Sequence, residues 1–171
     1  MPSLNLDQIN TVSPTRQERC LWIMVTASRA VAWEERCVLY ARVIGILPSF
    51  DRHKCNEYVD IPIPTGIDVV RNAITGAADA VIAIGGGAGT LSEMAFAWTQ
   101  LRLIIGYRTV PGWAQKLADQ RIDGRIRYPE IEDDRVYGAD TPEEAAMILE
   151  KLIEKYDKSF DGISWIDPRK V

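Results

Sequence analysis

Four of the chain's 12 glycines fall within five consecutive positions, Gly85-Gly86-Gly87-Ala88-Gly89, and no other stretch constrains the fold as strongly. The cluster follows a nearly uninterrupted apolar run over 79–84 and precedes a helical pattern from Thr90 to about Gln100. A strand apolar on both sides belongs to a sheet covered on both faces, so the turn reads as the strand-to-helix joint of an α/β domain. Glycine reaches positive φ without steric cost and lets a ligand approach the backbone closely. The helix behind it begins with amides that lack intrahelical partners and with a dipole that favours anions. Residues Gly85, Gly86, Gly87, Ala88, Gly89 and Thr90 are therefore candidates for holding a phosphate, with Thr90 read as the helix cap. The alternative is a tight turn that needs glycine for geometry alone, although one or two glycines serve for that.

Two well-known phosphate loops are excluded. No Lys-Ser/Thr pair follows the glycines, as the G-x-x-x-x-G-K-[ST] loop requires. Ser92 stands where the dinucleotide fingerprint has its third glycine. Ile105-Gly106-Tyr107 stands where that fingerprint has an acidic residue.

The rest of the chain alternates between short β-branched runs and longer helical spacings. Strands are expected over 42–47, stopped by Pro48, and over 59–63, where Pro62 favours a sheet edge. Residues 49–58 are polar and turn-rich, hence a loop. Apolar residues at 67, 70, 74 and 77 predict a helix over 67–77. Strands follow over 79–84 and 101–107, a helix over 113–120, and a short strand or loop over 135–138. Thr141-Pro142-Glu143-Glu144 supplies an N-cap, a first-position proline and acidic residues for a last helix reaching about Tyr156. The expected fold is one three-layer, Rossmann-like α/β domain over 1–157 with a mainly parallel sheet, followed by a tail over 158–171.

Composition removes several function classes. Twenty basic against 24 acidic residues give a net charge of −4, and no Lys/Arg stripe is present, which argues against nucleic-acid binding. Three cysteines without a C-x-x-C pair and a single histidine, His53, argue against a disulfide framework or a four-ligand zinc site. The apolar runs are far shorter than the ~20 residues that cross a bilayer, and no secretory segment is evident, so the expected compartment is the cytoplasm.

The stretch Gly85-Gly86-Gly87-Ala88-Gly89-Thr90-Leu91-Ser92-Glu93 resembles the P-G-G-x-G-T-x-x-E motif of the LOG-like Rossmannoid superfamily. Gly85 in place of proline, together with Thr65-Gly66, Arg71-Asn72 and Val43-Ile44-Gly45-Ile46-Leu47-Pro48, resembles the branch of DprA-related proteins and molybdenum cofactor carrier proteins. The resemblance spans about 42–156. For the phosphoribohydrolase branch it implies that Glu93 and Arg71 support cleavage of a nucleoside monophosphate's N-glycosidic bond. That branch has lysine after the arginine, whereas Asn72 follows Arg71 here and joins the candidate ligand residues. For the carrier branch it implies a binder of a phosphorylated pterin cofactor. It also implies a homo-oligomer, dimer or tetramer, with the stripe Met94, Ala97, Trp98 and Leu101 either at that interface or in the core.

The family's second glycine-rich turn is missing. Its place holds Ser28-Arg29-Ala30-Val31-Ala32-Trp33-Glu34-Glu35, and the first glycine of the chain is Gly45. If Ser28 to Arg36 are encoded TCA CGG GCG GTG GCA TGG GAG GAG CGN, reading from the third base gives Thr-Gly-Gly-Gly-Met-Gly-Gly-Ala. Residues before about Arg42 are then partly out of the ancestral frame. Under ordinary divergence, 22–25 still form a strand and 30–41 a helix.

Three functions follow, in order of preference. The first is a non-catalytic binder of a nucleotide or molybdopterin-type ligand. The second is a phosphoribohydrolase using Arg71 and Glu93. The third is a scaffold with a degenerate site.

Overall fold

The computed structural model describes residues 23–27, 43–55, 57 and 59–156, the first segment by its backbone alone. Among them run the strands β1 (Ile23–Ala27), β2 (Ile44–Leu47), β3 (Ile61–Pro64), β4 (Ala80–Ile84), β5 (Leu103–Tyr107) and β6 (Tyr137–Ala139). The helices are α1 (Asn72–Thr75), α2 (Ala88–Thr99), α3 (Trp113–Leu117) and α4 (Pro142–Leu152). Four parallel strands form the main sheet in the order β1-β4-β5-β6. The expected strands near 42–47 and 59–63 form instead a separate parallel pair, β2 with β3. Pro62 and Pro64 sit in β3, which has a ladder partner on one side only among the described residues.

Alternation along the central strands builds three layers. Ala80, Ile84, Leu103, Ile105 and Tyr107 pack on one face with Ala145 and Leu152 of α4. Val81, Ala83 and Ile104 pack on the other with Met94, Ala97 and Trp98 of α2 and Ala114 of α3. Strand side chains point alternately to the two faces, so a continuous apolar run feeds both cores. The stripe Met94, Ala97 and Trp98 is therefore core, whereas Phe96, one position off it, is 41% exposed.

Helix boundaries differ from the sequence pattern for local reasons. α2 starts two residues earlier than expected, with Gly87 as a cap that makes no side-chain bond. Thr90 is thus inside the first turn rather than at the cap, and Glu93 is beyond it. The chain leaves α2 through a Schellman turn: Arg102 N donates to Ala97 O at 2.9 Å and Leu101 N to Trp98 O at 3.2 Å. Leu101 takes φ +63°, which delays β5 to Leu103.

The helix expected over 67–77 shrinks to a 3-10 turn, Asp68–Arg71, running into α1. Asp68 at φ +47° stops it from beginning earlier. Its apolar positions do not face the core: Val70 is 64% exposed, and Ile67 and Ile74 are exposed too. The inward face is Asn72, Thr75 and Gly76. A Cβ on Gly76 would meet Phe96 Cβ at 2.6 Å and Ala97 N at 2.9 Å, so glycine permits the close approach of α1 to α2.

A buried ionic cluster anchors the opposite end of β5. Arg127 donates to Asp134 at 3.0 and 2.5 Å and to the carbonyls of Trp98 and Arg102 at 3.2 and 3.0 Å. Its guanidinium lies 3.6 Å from the Trp98 ring centroid. Tyr156 donates to Asp134 at 2.7 Å, with the Tyr137 hydroxyl 3.1 Å away. Partners on every side make this buried charge pair tolerable. Nothing in the sequence pattern announced it. The expected helix over 30–41, the frame reading over 28–36 and the tail over 158–171 lie outside the described residues.

Candidate functional site

β4 ends at Ile84, in register with Ala27 at the end of β1, and the glycine loop leaves from that carboxyl edge. Gly85 and Gly86 take φ +61° and +84°, a left-handed pair that side-chain-bearing residues enter only at a cost. A Cβ on Gly85 would meet Val110 Cγ1 at 2.8 Å and the Pro111 carbonyl at 3.0 Å.

α3 fixes the orientation of this loop. Ala114 N donates to Gly85 O and Trp113 N to Gly86 O, each at 3.0 Å. In a trans peptide the N–H lies opposite the carbonyl. The amides of Gly86 and Gly87 are consequently turned away from α3. Among the described residues no backbone carbonyl accepts from the amides of Gly86 or Gly87. Gly87, Ala88 and Gly89 are exposed, and a Cβ built on Gly87 or Gly89 would meet nothing within 4 Å. Outward amides of Gly86 and Gly87 just before a 12-residue helix with no acidic residue in its first turn are a geometry that can receive an anion.

The upstream pair expected at the site is brought to it. Asn72, 2% exposed, donates through Nδ2 to Ser92 Oγ at 2.6 Å and to Gly89 O at 3.4 Å. Its Oδ1 accepts from Arg71 Nη1 at 2.5 Å. Ser92 donates to Gly89 O at 2.7 Å. Arg71 Nε is buried with no acceptor among the described residues. Glu93 is 8% exposed and accepts from Thr75 Oγ1 at 3.3 Å, while Thr75 also donates to Asn72 O at 3.0 Å. Thr90 is buried, and its hydroxyl crowds the side of Gly86 where a Cβ would stand.

Arg71, Asn72, Glu93 and loop 85–90 thus form one neighbourhood. Ser92 and Thr75 were missed as members. The i, i+3 spacing of Gly89 and Ser92 was the available signal for Ser92, and nothing short of α1–α2 packing points to Thr75.

Hollows of about 270 and 170 Å³ lie away from the glycine loop. The larger is on the outer face of α2 beside Ser92, Ala95, Phe96 and Ile122, the smaller beside Arg121, Pro129 and Glu132. The glycine loop lines neither and opens directly onto the surface.

A parallel sheet with helices on both faces and a glycine turn at its carboxyl edge defines a Rossmann-like α/β protein. A family model described as SLOG cluster4 family matches residues 22–145, and the chain belongs to that family. The match begins about twenty residues before the resemblance read from the sequence. The structure of the protein TM1055 superposes with a TM-score of 0.54 at 31% identity, covering 66% of this chain and 65% of that one. The molybdenum cofactor binding protein from Rippkaea orientalis superposes with a TM-score of 0.52 at 32% identity, covering 67% of this chain and 64% of the other. An uncharacterised protein from Archaeoglobus fulgidus is 45% identical over 56 residues, which are 32% of this chain and 36% of that protein. The chain therefore spans just under two thirds of the solved relatives and about a third of the archaeal one. Among the described residues no helix is long and apolar enough to cross a membrane.

Proposed function

We propose that this protein binds a small phosphorylated ligand, a nucleotide or a molybdopterin-type cofactor, with the phosphate on the amides of Gly86, Gly87, Ala88 and Gly89. The observation that carries this reading is the pair of hydrogen bonds from α3 to the carbonyls of Gly85 and Gly86. They set the loop amides outward before any ligand arrives, so binding pays little reorganisation. Arg71 stands beside the same turn and supplies the positive charge. The cofactor named for the Rippkaea orientalis relative carries such a phosphate, which supports the molybdopterin-type alternative.

Binding is favoured over cleavage by the state of Glu93. Its carboxylate is buried against Thr75, while the outward amides are at the exposed start of the helix. By family resemblance the protein is a homo-oligomer, which light scattering on the purified chain tests.

Titration calorimetry with 5′-AMP, inorganic pyrophosphate and molybdopterin tests the main reading. Saturable binding of at least one, with a rise in melting temperature, is the expected result. Indifference to all three overturns it, and release of free adenine from AMP replaces it with the phosphoribohydrolase reading.

A further inference from the structure

We infer that Asn72 is a positioning residue, which holds the Arg71 guanidinium at the rim of the glycine loop without itself touching the ligand. The inference rests on the anion-site reading above and adds the device that aims its charged partner.

Asn72 is nearly inaccessible, and both ends of its side-chain amide are engaged. The Nδ2 end is tied to α2 through Ser92 Oγ and Gly89 O. The Oδ1 end receives Arg71 Nη1 at 2.5 Å. An amide is planar, so anchoring one end fixes the direction of the other. Arginine side chains carry large rotamer entropy, and a donor held in place loses less of it when an anion arrives. The same amide connects α1 to Gly89, so the guanidinium is registered to the first turn of α2. Asparagine suits this task because it donates and accepts at once. A lysine at this position would have no side-chain acceptor to offer a guanidinium. Of the five N–H donors of Arg71 one is seen engaged, by Asn72 Oδ1, and Nε is buried without an acceptor among the described residues, so the group keeps donors for an incoming oxygen.

A double-mutant cycle on the full chain, read by calorimetry with 5′-AMP and with pyrophosphate, tests this. Asn72→Ala is expected to weaken binding about tenfold in the native background and less than about twofold in Arg71→Ala. Melting temperature falls in both backgrounds through the lost bonds to Ser92 and Gly89, whereas affinity falls only where Arg71 is present, which separates positioning from general support. Equal affinity losses in the two backgrounds overturn the inference. A ligand-independent readout is the ¹⁵N-edited Hε resonance of Arg71, expected to be sharp in the native chain and averaged in Asn72→Ala. A resonance unchanged by Asn72→Ala also overturns the inference. If the native chain takes neither probe while that resonance still depends on Asn72, the anion-site reading fails and the positioning stands.

Discussion

Gly112 lies so close against Gly85 that a side chain on Gly112 would overlap the backbone of Gly85 and Gly86. The contact lets the first amides of α3 reach the two loop carbonyls, and so decides which way the loop amides face. Gly112 also holds φ +149°, where L-residues are strained by about 1–3 kcal/mol. Gly112→Ala is expected to lower the melting temperature by several degrees and to abolish AMP binding. Thermal unfolding and calorimetry on the same preparation check both effects.

Gly89 gives the opposite combination. It lies in the first turn of α2 with open space where a Cβ would be, so Gly89→Ala favours the helix by up to about 1 kcal/mol by lowering the entropy of the unfolded chain. The added methyl group then occupies the face offered to the phosphate. We expect a chain at least as stable as the native one, with AMP affinity reduced about tenfold or more. Unchanged affinity places the ligand elsewhere.

Removing Asp134 leaves Arg127 as a buried charge without its counter-ion. Asp134→Ala is expected to cost about 3–5 kcal/mol of unfolding free energy in urea titration, far more than an exposed ion pair such as Arg125 with Asp123. A loss below about 1 kcal/mol contradicts the assigned role of the cluster.

The same cluster sets the alkaline limit of stability. Burial, then the hydrogen bonds with Tyr137 and Asp134, push the Tyr156 hydroxyl far above its ordinary range. A group raised in the folded state contributes stability that is fully present below its unfolded value and fades as the pH rises. The fade begins near pH ~10 for tyrosine and approaches about 1.4 kcal/mol per pH unit. Burial also raises Tyr137 and Tyr107, so Tyr156→Phe flattens the decline above pH ~10 without removing it. Unfolding free energies measured from pH ~8 to ~11 check the slope.

The codons for Ser28 to Arg36 are expected to contain an in-register Thr-Gly-Gly-Gly-Met-Gly-Gly-Ala in the frame beginning at their third base. Sequencing the coding DNA decides the point, and other codons refute it. Restoring that frame locally is expected to strengthen AMP binding, since β1 ends level with the glycine loop.

The parallel sheet and the loop were legible in the sequence because each is specified locally. An apolar run over both faces demands two covering layers, and four glycines in five positions leave few other backbones. The direction of the α1 stripe was not legible. Residues 67, 70 and 74 obey helical spacing yet face outward, because Gly76 and the bonds of Asn72 and Thr75 turn the other face of α1 to α2. Spacing records that a helix has a distinctive face, whereas the partner decides which face is covered. The role of Thr90 likewise depended on a start of α2 that only coordinates give. The sequence by itself therefore determined the architecture and the place of the glycine loop. Tertiary structure alone decided the outward set of the amides and the placing of Arg71 against Asn72, because both depend on hydrogen bonds between segments 17 to 29 residues apart in the chain.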